Sequence, residues 1–203
     1  VGMRRREAQR RCPHVAVLAH DPDRDARCFE PVAAAFDVLT PGVEVSVPGT
    51  LAFATRGPSR YVGGDHALAE RTGWIATGAT GGAEAGVGVA DGAFAALLAA
   101  RRAVRRGEPV VVAPGGSPDF LAPLPVAALT QAALHIPVPA DLTDLFARLG
   151  LRTLGQVAAL DGADLLGRFG EGGALVHRLA RGLDPRPLQA RRPAPELQVT
   201  REI

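Results

Sequence analysis

Two glycine-rich turns near the end of the chain carry the residues best suited to chemistry, and that chemistry is phosphate binding. They read Leu149-Gly150-Leu151-Arg152-Thr153 and Phe169-Gly170-Glu171-Gly172-Gly173-Ala174. Glycine lets the backbone approach a phosphate, and the N–H groups at the start of the following helix supply donors. Each turn therefore has the pattern of a helix-hairpin-helix. Two ordinary corners between helices would contain the same glycines, since glycine commonly ends a helix.

The candidate DNA contacts in these turns are backbone groups and two arginines. Arg152 and Arg168 lie within or beside the turns, where a guanidinium group can hold a flanking phosphate. The occurrence of the turn twice favours phosphate binding over two unrelated corners. The predicted DNA-binding residues are Gly150, Arg152, Thr153, Arg168, Gly170, Gly172, Gly173 and Ala174.

Basic charge is clustered, although the formal net charge is only +2. Residues 1–11 hold five arginines and one glutamate, and residues 178–192 hold five arginines and one aspartate. A third cluster at 101–106 lies at a predicted helix C-terminus, where the helix dipole favours arginine in any case. The clusters are compatible with nucleic-acid binding and also with an ordinary solvated surface.

The composition and spacing exclude several other kinds of chemistry. All 23 basic residues are arginine, so no lysine amine is available for a Schiff base. Cys12 and Cys28 lack the spacing of a zinc site, and no calcium loop, Rossmann fingerprint or Ser-His-Asp frame is visible. We therefore expect no metal site and no cofactor. The longest apolar run is far shorter than a membrane span, so we expect a cytoplasmic protein without membrane contact.

The first 113 residues alternate predicted helices with predicted strands. Asp91 is expected to cap a helix whose apolar stripe includes Val104, and a β-hairpin is expected to turn at Pro48-Gly49. The order predicts an α+β layer with helices on one face of a mixed sheet. The predicted elements are helices at 2–11, 29–39, 66–77 and 92–106, and strands at 15–18, 43–47, 51–53, 85–89 and 110–113.

The remaining residues predict a different architecture. Residues 114–125 are typical of a linker, and short helices separated by glycine turns follow, which predicts a compact all-α unit. Thr153 and Gln156 form a capping-box signature, and Asp161 is expected to cap the next helix, which carries Leu166 on its apolar face. A final strand-like run covers residues 197–203.

Ordered segments across nearly the whole chain carry a resemblance to a known family. They are Gly2-Met3 with Arg6-Glu7-Ala8 and Cys12-Pro13, Phe29-Glu30-Pro31-Val32, Thr40-Pro41-Gly42-Val43-Glu44, Gly57-Pro58 with Tyr61 and Gly63-Gly64, Gly86-Val87-Gly88-Val89-Ala90, Phe120-Leu121-Ala122-Pro123-Leu124-Pro125 and Leu149-Gly150-Leu151-Arg152-Thr153-Leu154-Gly155. Together they resemble the Y-family translesion DNA polymerases, which are DinB/UmuC-like proteins. Within that family they are most similar to the catalytically inactive ImuB type.

The resemblance implies a ferredoxin-like polymerase palm with a remnant of the fingers, followed by an all-α helix-hairpin-helix thumb. It assigns residues 1–20 to partial fingers, 21–120 to the palm, 121–185 to the thumb and 186–203 to a linker toward a little finger. The first palm strand would precede residue 1. The implied partners are primer–template DNA, a sliding clamp, an accessory mutasome protein and a separate active polymerase, acting in translesion synthesis within the SOS response to DNA damage.

The chain departs from this family where catalysis would occur. Active members carry Ser-Ile-Asp-Glu in the palm hairpin, and its carboxylates bind magnesium; here the same place reads Ser46-Val47-Pro48-Gly49. Neither Pro48 nor Gly49 has a side-chain oxygen that could hold the ions of two-metal phosphoryl transfer. The resemblance therefore implies a DNA-binding scaffold in DNA repair, with no catalytic residue and without enzyme activity of its own.

Two other interpretations stay open at this point. The chain could be a fragment of an active Y-family polymerase, which would need magnesium and carboxylates from outside the matched hairpin. It could also be a helix-hairpin-helix DNA-binding module unrelated to polymerases. A carboxylate cluster facing the palm sheet would favour the former, and the lack of any palm-like layer would favour the latter.

Overall fold

Helices and two short pairs of strands make up the part of the chain that the computed structural model describes, residues 5–16, 19–130, 136 and 138–190. The strands are β1 (Glu44–Val47), β2 (Thr50–Ala52), β3 (Gly88–Val89) and β4 (Val110–Val111). The helices are α1 (Arg5–Arg11), α2 (Pro22–Ala34), α3 (Arg56–Val62), α4 (Asp65–Ala79), α5 (Ala93–Arg106), α6 (Ser117–Leu121), α7 (Ala140–Arg148), α8 (Leu154–Ala158) and α9 (Gly162–Ala180). Short 3-10 helices cover Ala35–Val38 and Val126–Leu129. This combination of helices with small sheets agrees with the predicted α+β class.

The predicted β-hairpin is present. Strands β1 and β2 are antiparallel, with Val45 opposite Leu51 and an irregularity in register before Val47. The chain turns at Pro48-Gly49, where Gly49 has a φ of 96°, a left-handed conformation that favours glycine. The hairpin prediction is therefore confirmed.

Strands β3 and β4 form a separate parallel pair, connected by α5. Helix α5 lies so close to β3 that a Cβ atom at Gly86 or Gly88 would overlap the α5 backbone at Ala100. These glycines therefore serve helix–strand packing. Among the described residues the two pairs are two-stranded sheets that do not join, so the prediction of one mixed sheet is wrong. Strands β3 and β4 are also shorter than predicted, with two paired residues each.

Two apolar cores hold these elements together. The smaller core contains Phe36, Val43 and Ile75 and supports the β-hairpin. The larger core extends from Phe94 in α5 to Leu179 in α9. It therefore reaches across the domain boundary expected at residues 120 and 121.

Several segments differ from the sequence prediction. Residues 114–125 are not a bare linker, because α6 lies there with Leu121 buried in the larger core. Val15 and Ala16 are exposed and belong to no strand, while the rest of that predicted strand, 17–18, lies outside the described residues. Val104 and Leu166 are exposed rather than part of an apolar stripe.

Asp91 does not cap α5 as predicted. Its carboxylate accepts hydrogen bonds from the Ser117 hydroxyl at 2.7 Å and from the backbone N–H of Gly115 at 2.9 Å. These hydrogen bonds lower the pKa of Asp91, with the Ser117 hydroxyl as the largest cause. Gly92 is the N-cap residue, and the side chain that caps α5 comes from Asp184.

Both predicted helix caps in the C-terminal region are confirmed. Thr153 and Gln156 form a capping box at the start of α8, and Asp161 accepts hydrogen bonds from the N–H groups of Ala163 and Asp164 at the start of α9. The predicted strand-like run at 197–203 lies outside the described residues. None of the described helices is long and apolar enough to cross a bilayer.

Candidate nucleic-acid interface

The first glycine turn connects α7 to α8. Gly150 has a φ of 86°, a left-handed conformation that ends α7, and Arg152 is exposed in the turn. Thr153 is the N-cap of α8, and its hydroxyl accepts a hydrogen bond from the N–H of Gln156. The geometry is that of a tight corner between two short helices.

Every backbone N–H from residue 150 to residue 157 has an acceptor inside the protein. The side-chain oxygen of Gln156 accepts from the N–H groups of Arg152 at 2.6 Å and Thr153 at 3.1 Å. The N–H groups of Leu154 and Gly155 donate to carbonyls of residues 124 and 122. The backbone N–H groups of this turn are therefore all paired within the free chain, and the DNA contacts of Gly150 and Thr153 stay predictions. What the turn can offer DNA is the Arg152 guanidinium.

The second glycine turn interrupts α9. Gly170 has a φ of 62° and a ψ of −154°, so the helix stops there and restarts over residues 171–180. The first N–H groups of a helix lack a carbonyl partner within that helix, and Gly170 and Glu171 are exposed at this restart. The second turn is therefore an exposed restart of a helix, and the phosphate contact predicted there stays a prediction.

Gly172 and Gly173 have packing roles in this turn. Gly173 is buried, and a Cβ atom there would overlap the carbonyl oxygen of Leu165 and the Cβ of Phe169. A Cβ atom at Gly172 would lie 3.0 Å from the Pro139 ring. The lack of a side chain at Gly173 thus allows the two halves of α9 to approach each other. The next residue, Ala174, is partly buried.

The charged groups around the two turns are mostly arginines. Arg152 and Arg168 are exposed, and neither forms an ion pair with a carboxylate of the described residues. Helix α8 packs against α9, so both turns belong to one helical unit, defined here as α7 to α9. Glu171 places an exposed carboxylate at the helix restart, where it opposes an approaching phosphate.

The β-hairpin turn lacks side chains that could hold a metal ion. Pro48 and Gly49 are exposed, and within the described ranges no group of three or more His, Cys, Asp or Glu residues is arranged to hold one. The carboxylate on the same strand, Glu44, is buried and engaged elsewhere. The residues present therefore do not fit a magnesium site at this turn.

Glu44 is bound by the segment that follows α9. Its two carboxylate oxygens accept hydrogen bonds from Arg186 at 2.6 and 3.0 Å, and the N–H of Gln189 donates to it at 2.5 Å. The hydrogen bond from Arg186 is the largest cause that lowers the pKa of Glu44 from its ordinary value near 4.5. The contact therefore stabilises the fold above about pH 4.5, and the stabilisation is lost as the pH falls below that value and Glu44 is protonated.

The comparisons with known proteins point to one group of enzymes. A protein named DNA polymerase IV from Caulobacter vibrioides is 39% identical over 109 residues, which are 52% of this chain and 25% of that protein. The protein of the same name from Halobacterium salinarum is 40% identical over 110 residues, covering 54% of this chain and 25% of its own length. The matches therefore span about a quarter of these relatives. No family model matches the chain.

A solved structure shows the same fold. A DinB family error-prone DNA polymerase from Sulfolobus solfataricus matches 93% of this chain and 55% of its own chain, with a TM-score of 0.66 and 17% sequence identity. The sequence and fold matches together support a relation of this chain to Y-family DNA polymerases. This relation disfavours a helix-hairpin-helix module of unrelated origin.

Proposed function

We propose that this chain is a DNA-binding, polymerase-like scaffold in DNA repair and translesion synthesis that does not itself transfer nucleotides. The observation that carries the proposal is the exposed Pro48-Gly49 turn of the β-hairpin, in a chain related to proteins named DNA polymerase IV. By resemblance this turn is where magnesium-binding carboxylates would stand, in a palm formed by residues 21–120. The similarity to the ImuB type, whose members are inactive, is part of the same proposal.

The chemistry of the turn supports the lack of nucleotidyl transfer. Two-metal phosphoryl transfer needs anionic oxygens that hold ions against the attacking and leaving groups. The positive φ of Gly49 would strain a glutamate at this position, so the backbone as well as the side chain departs from what such a site requires. Glu44 cannot substitute, because Arg186 and Gln189 already bind its carboxylate.

DNA binding is proposed to centre on the helical unit, which by resemblance is the thumb, residues 121–185. In this proposal the helix restart at Gly170 donates backbone N–H groups to one phosphate, and Arg152 and Arg168 hold neighbouring phosphates. Such contacts go to the DNA backbone and carry no sequence information. They therefore suit a protein that binds a primer–template of any sequence. The partner is accordingly primer–template DNA.

The wider setting of the proposal comes from the family resemblance alone. It places the protein in the cytoplasm during the SOS response, beside a sliding clamp, an accessory mutasome protein and a separate active polymerase. The alternative is a fragment of an active polymerase, which the names of the relatives favour. Magnesium would then have to be held by carboxylates other than those of the β-hairpin.

A binding titration tests the DNA partner. We expect the 203-residue chain to bind a fluorescent primer–template duplex saturably, because exposed arginines that neutralise phosphates release counterions. If two phosphates are neutralised, affinity should fall about tenfold between about 50 and about 200 mM salt. Fluorescence anisotropy at several salt concentrations measures both quantities. The lack of saturable binding at the lowest salt would argue against DNA as the partner.

A further inference from the structure

Residues 184–189, which follow α9, run from the start of α5 to strand β1, and we refer to this segment as the strap. It has the sequence Asp-Pro-Arg-Pro-Leu-Gln. Pro185 and Pro187 fix their φ angles near −65°, so the segment is stiff. Residues 184–188 of the strap also line a groove of about 1090 Å³ whose walls include Leu51 of β2 and Val89 of β3.

The first anchor of the strap is Asp184. Its carboxylate accepts hydrogen bonds from the N–H groups of Ala93 at 2.6 Å and Phe94 at 3.2 Å, at the start of α5. Gly92, the N-cap residue, has no side chain to do this, and a Cβ atom there would lie only about 3.0 Å from the Asp184 carboxylate. The carbonyl of Asp184 accepts a further hydrogen bond from Arg178 of α9 at 2.9 Å.

The second anchor is the contact between Arg186 and Glu44. The guanidinium meets the carboxylate with two parallel hydrogen bonds, the geometry in which this pair is strongest. The Glu44 side chain is 10% exposed, whereas that of Arg186 is 47% exposed. When this contact opens, the Arg186 side chain, which is already about half exposed, becomes fully hydrated. The Glu44 carboxylate must then be hydrated as well.

The two anchors hold parts of the molecule that belong to different cores. Asp184 holds the start of α5, whose Phe94 lies in the larger core with α7 to α9. Glu44 follows Val43, a member of the smaller core beneath the β-hairpin. The strap is thus a polar connection between the helical unit and the β-hairpin.

We propose that the strap is a releasable conformational device that fixes the position of the helical unit relative to the β-hairpin, with the Glu44–Arg186 contact as its release point. This inference goes beyond the proposed function, because it concerns the free chain and does not depend on DNA binding. Release would leave Asp184 on α5 and let residues 186–188 move away from the groove that they line. The spacing between the β-hairpin turn and the helical unit would then vary.

Distance measurements between two spin labels test the strap on the full 203-residue chain without DNA. Cys12 and Cys28 are replaced with serine, and labels are attached to cysteines introduced at two exposed positions, Pro48 and Ala163. We expect one narrow distance distribution for this labelled reference chain. Arg186→Gln and Glu44→Gln should each at least double the width of that distribution, because each removes one charge of the release contact.

Two further variants make the test decisive. Arg181→Gln removes an equal charge from an exposed arginine near the end of α9 that has no ion pair within the described residues, and it should leave the distribution narrow. Arg186→Lys keeps the charge and should give a width between those of the reference and Arg186→Gln. If Glu44→Gln fails to fold by circular dichroism, Arg186→Gln decides, because Arg186 is half exposed. An unchanged width in folded Arg186→Gln, or equal broadening in Arg181→Gln, would overturn the proposal.

Discussion

Replacing both Arg152 and Arg168 with glutamine is expected to weaken binding to primer–template DNA about 100-fold at about 100 mM salt. Both guanidinium groups are exposed and free of ion pairs with the described carboxylates, so their charge is available to phosphates. Each lost phosphate contact should also reduce the slope of log affinity against log salt by about 0.9. Anisotropy titrations at several salt concentrations measure the affinity and the slope together.

The matched control is the exposed pair Arg105 and Arg106 at the end of α5. Changing both to glutamine removes the same charge from a helix C-terminus that lies outside the two glycine turns. We expect this control to change affinity less than about threefold, through the general field alone. Equal losses in the two double variants would mean that DNA responds to net charge rather than to the turns.

Gly173→Ala is expected to lower the free energy of unfolding by about 3 kcal/mol, at the upper end of what overpacking costs. The added Cβ would overlap the Leu165 carbonyl oxygen and the Phe169 Cβ, and backbone atoms cannot move aside as a flexible side chain can. The two halves of α9 would have to separate. Urea denaturation followed by circular dichroism measures the change.

Gly167→Ala in the first half of α9 is the control for this substitution. Gly167 is exposed, and a Cβ atom there has no neighbour within 4 Å. Alanine should therefore stabilise the helix, by up to about 1 kcal/mol. A Gly173→Ala variant as stable as the native chain would show that the close approach within α9 does not constrain that position.

The elements that could be predicted from sequence are those whose causes are local. Alternating valines around Pro48-Gly49 determine the β-hairpin, and the caps by Thr153 and Asp161 need only residues two or three positions away. The same local pattern predicts that Asp91 caps α5, but tertiary contacts give its carboxylate other partners. Asp184, which is 91 residues from Ala93, caps α5 instead, and no local pattern indicates such a partner.

The positions of the two glycine turns are predictable from the sequence, and their binding of phosphate stays a prediction. The sequence places both glycine turns correctly, since Gly150 and Gly170 adopt positive φ angles where helices end. It also predicts the capping box of Gln156, and that box is what occupies the N–H groups of Arg152 and Thr153. The N–H groups of Leu154 and Gly155 donate instead to the carbonyls of Leu124 and Ala122, which lie in a distant segment, so the sequence alone does not show that every donor of this turn is paired.

Other contacts in the molecule had no signal in the sequence. Glu44 and Arg186 are 142 residues apart, and each is an unremarkable charged residue in its own segment. The burial of Gly173 depends on the change in direction of α9 at Gly170. The positions of the glycines in the sequence do not determine that change. The lengths of β3 and β4 depend on the elements that pack beside them, because packing against neighbours determines where a strand ends as much as its own residues do.

Primer extension on bound DNA tests most directly the claim that the chain binds DNA without transferring nucleotides. The reaction contains the 203-residue chain, a labelled primer–template at a concentration where the titration shows it bound, all four deoxynucleotides, and magnesium or manganese. We expect no template-directed extension, either for the native chain or for Pro48→Asp, since one restored carboxylate cannot complete a two-metal site. Template-directed extension that disappears only when some other carboxylate is mutated would contradict the account.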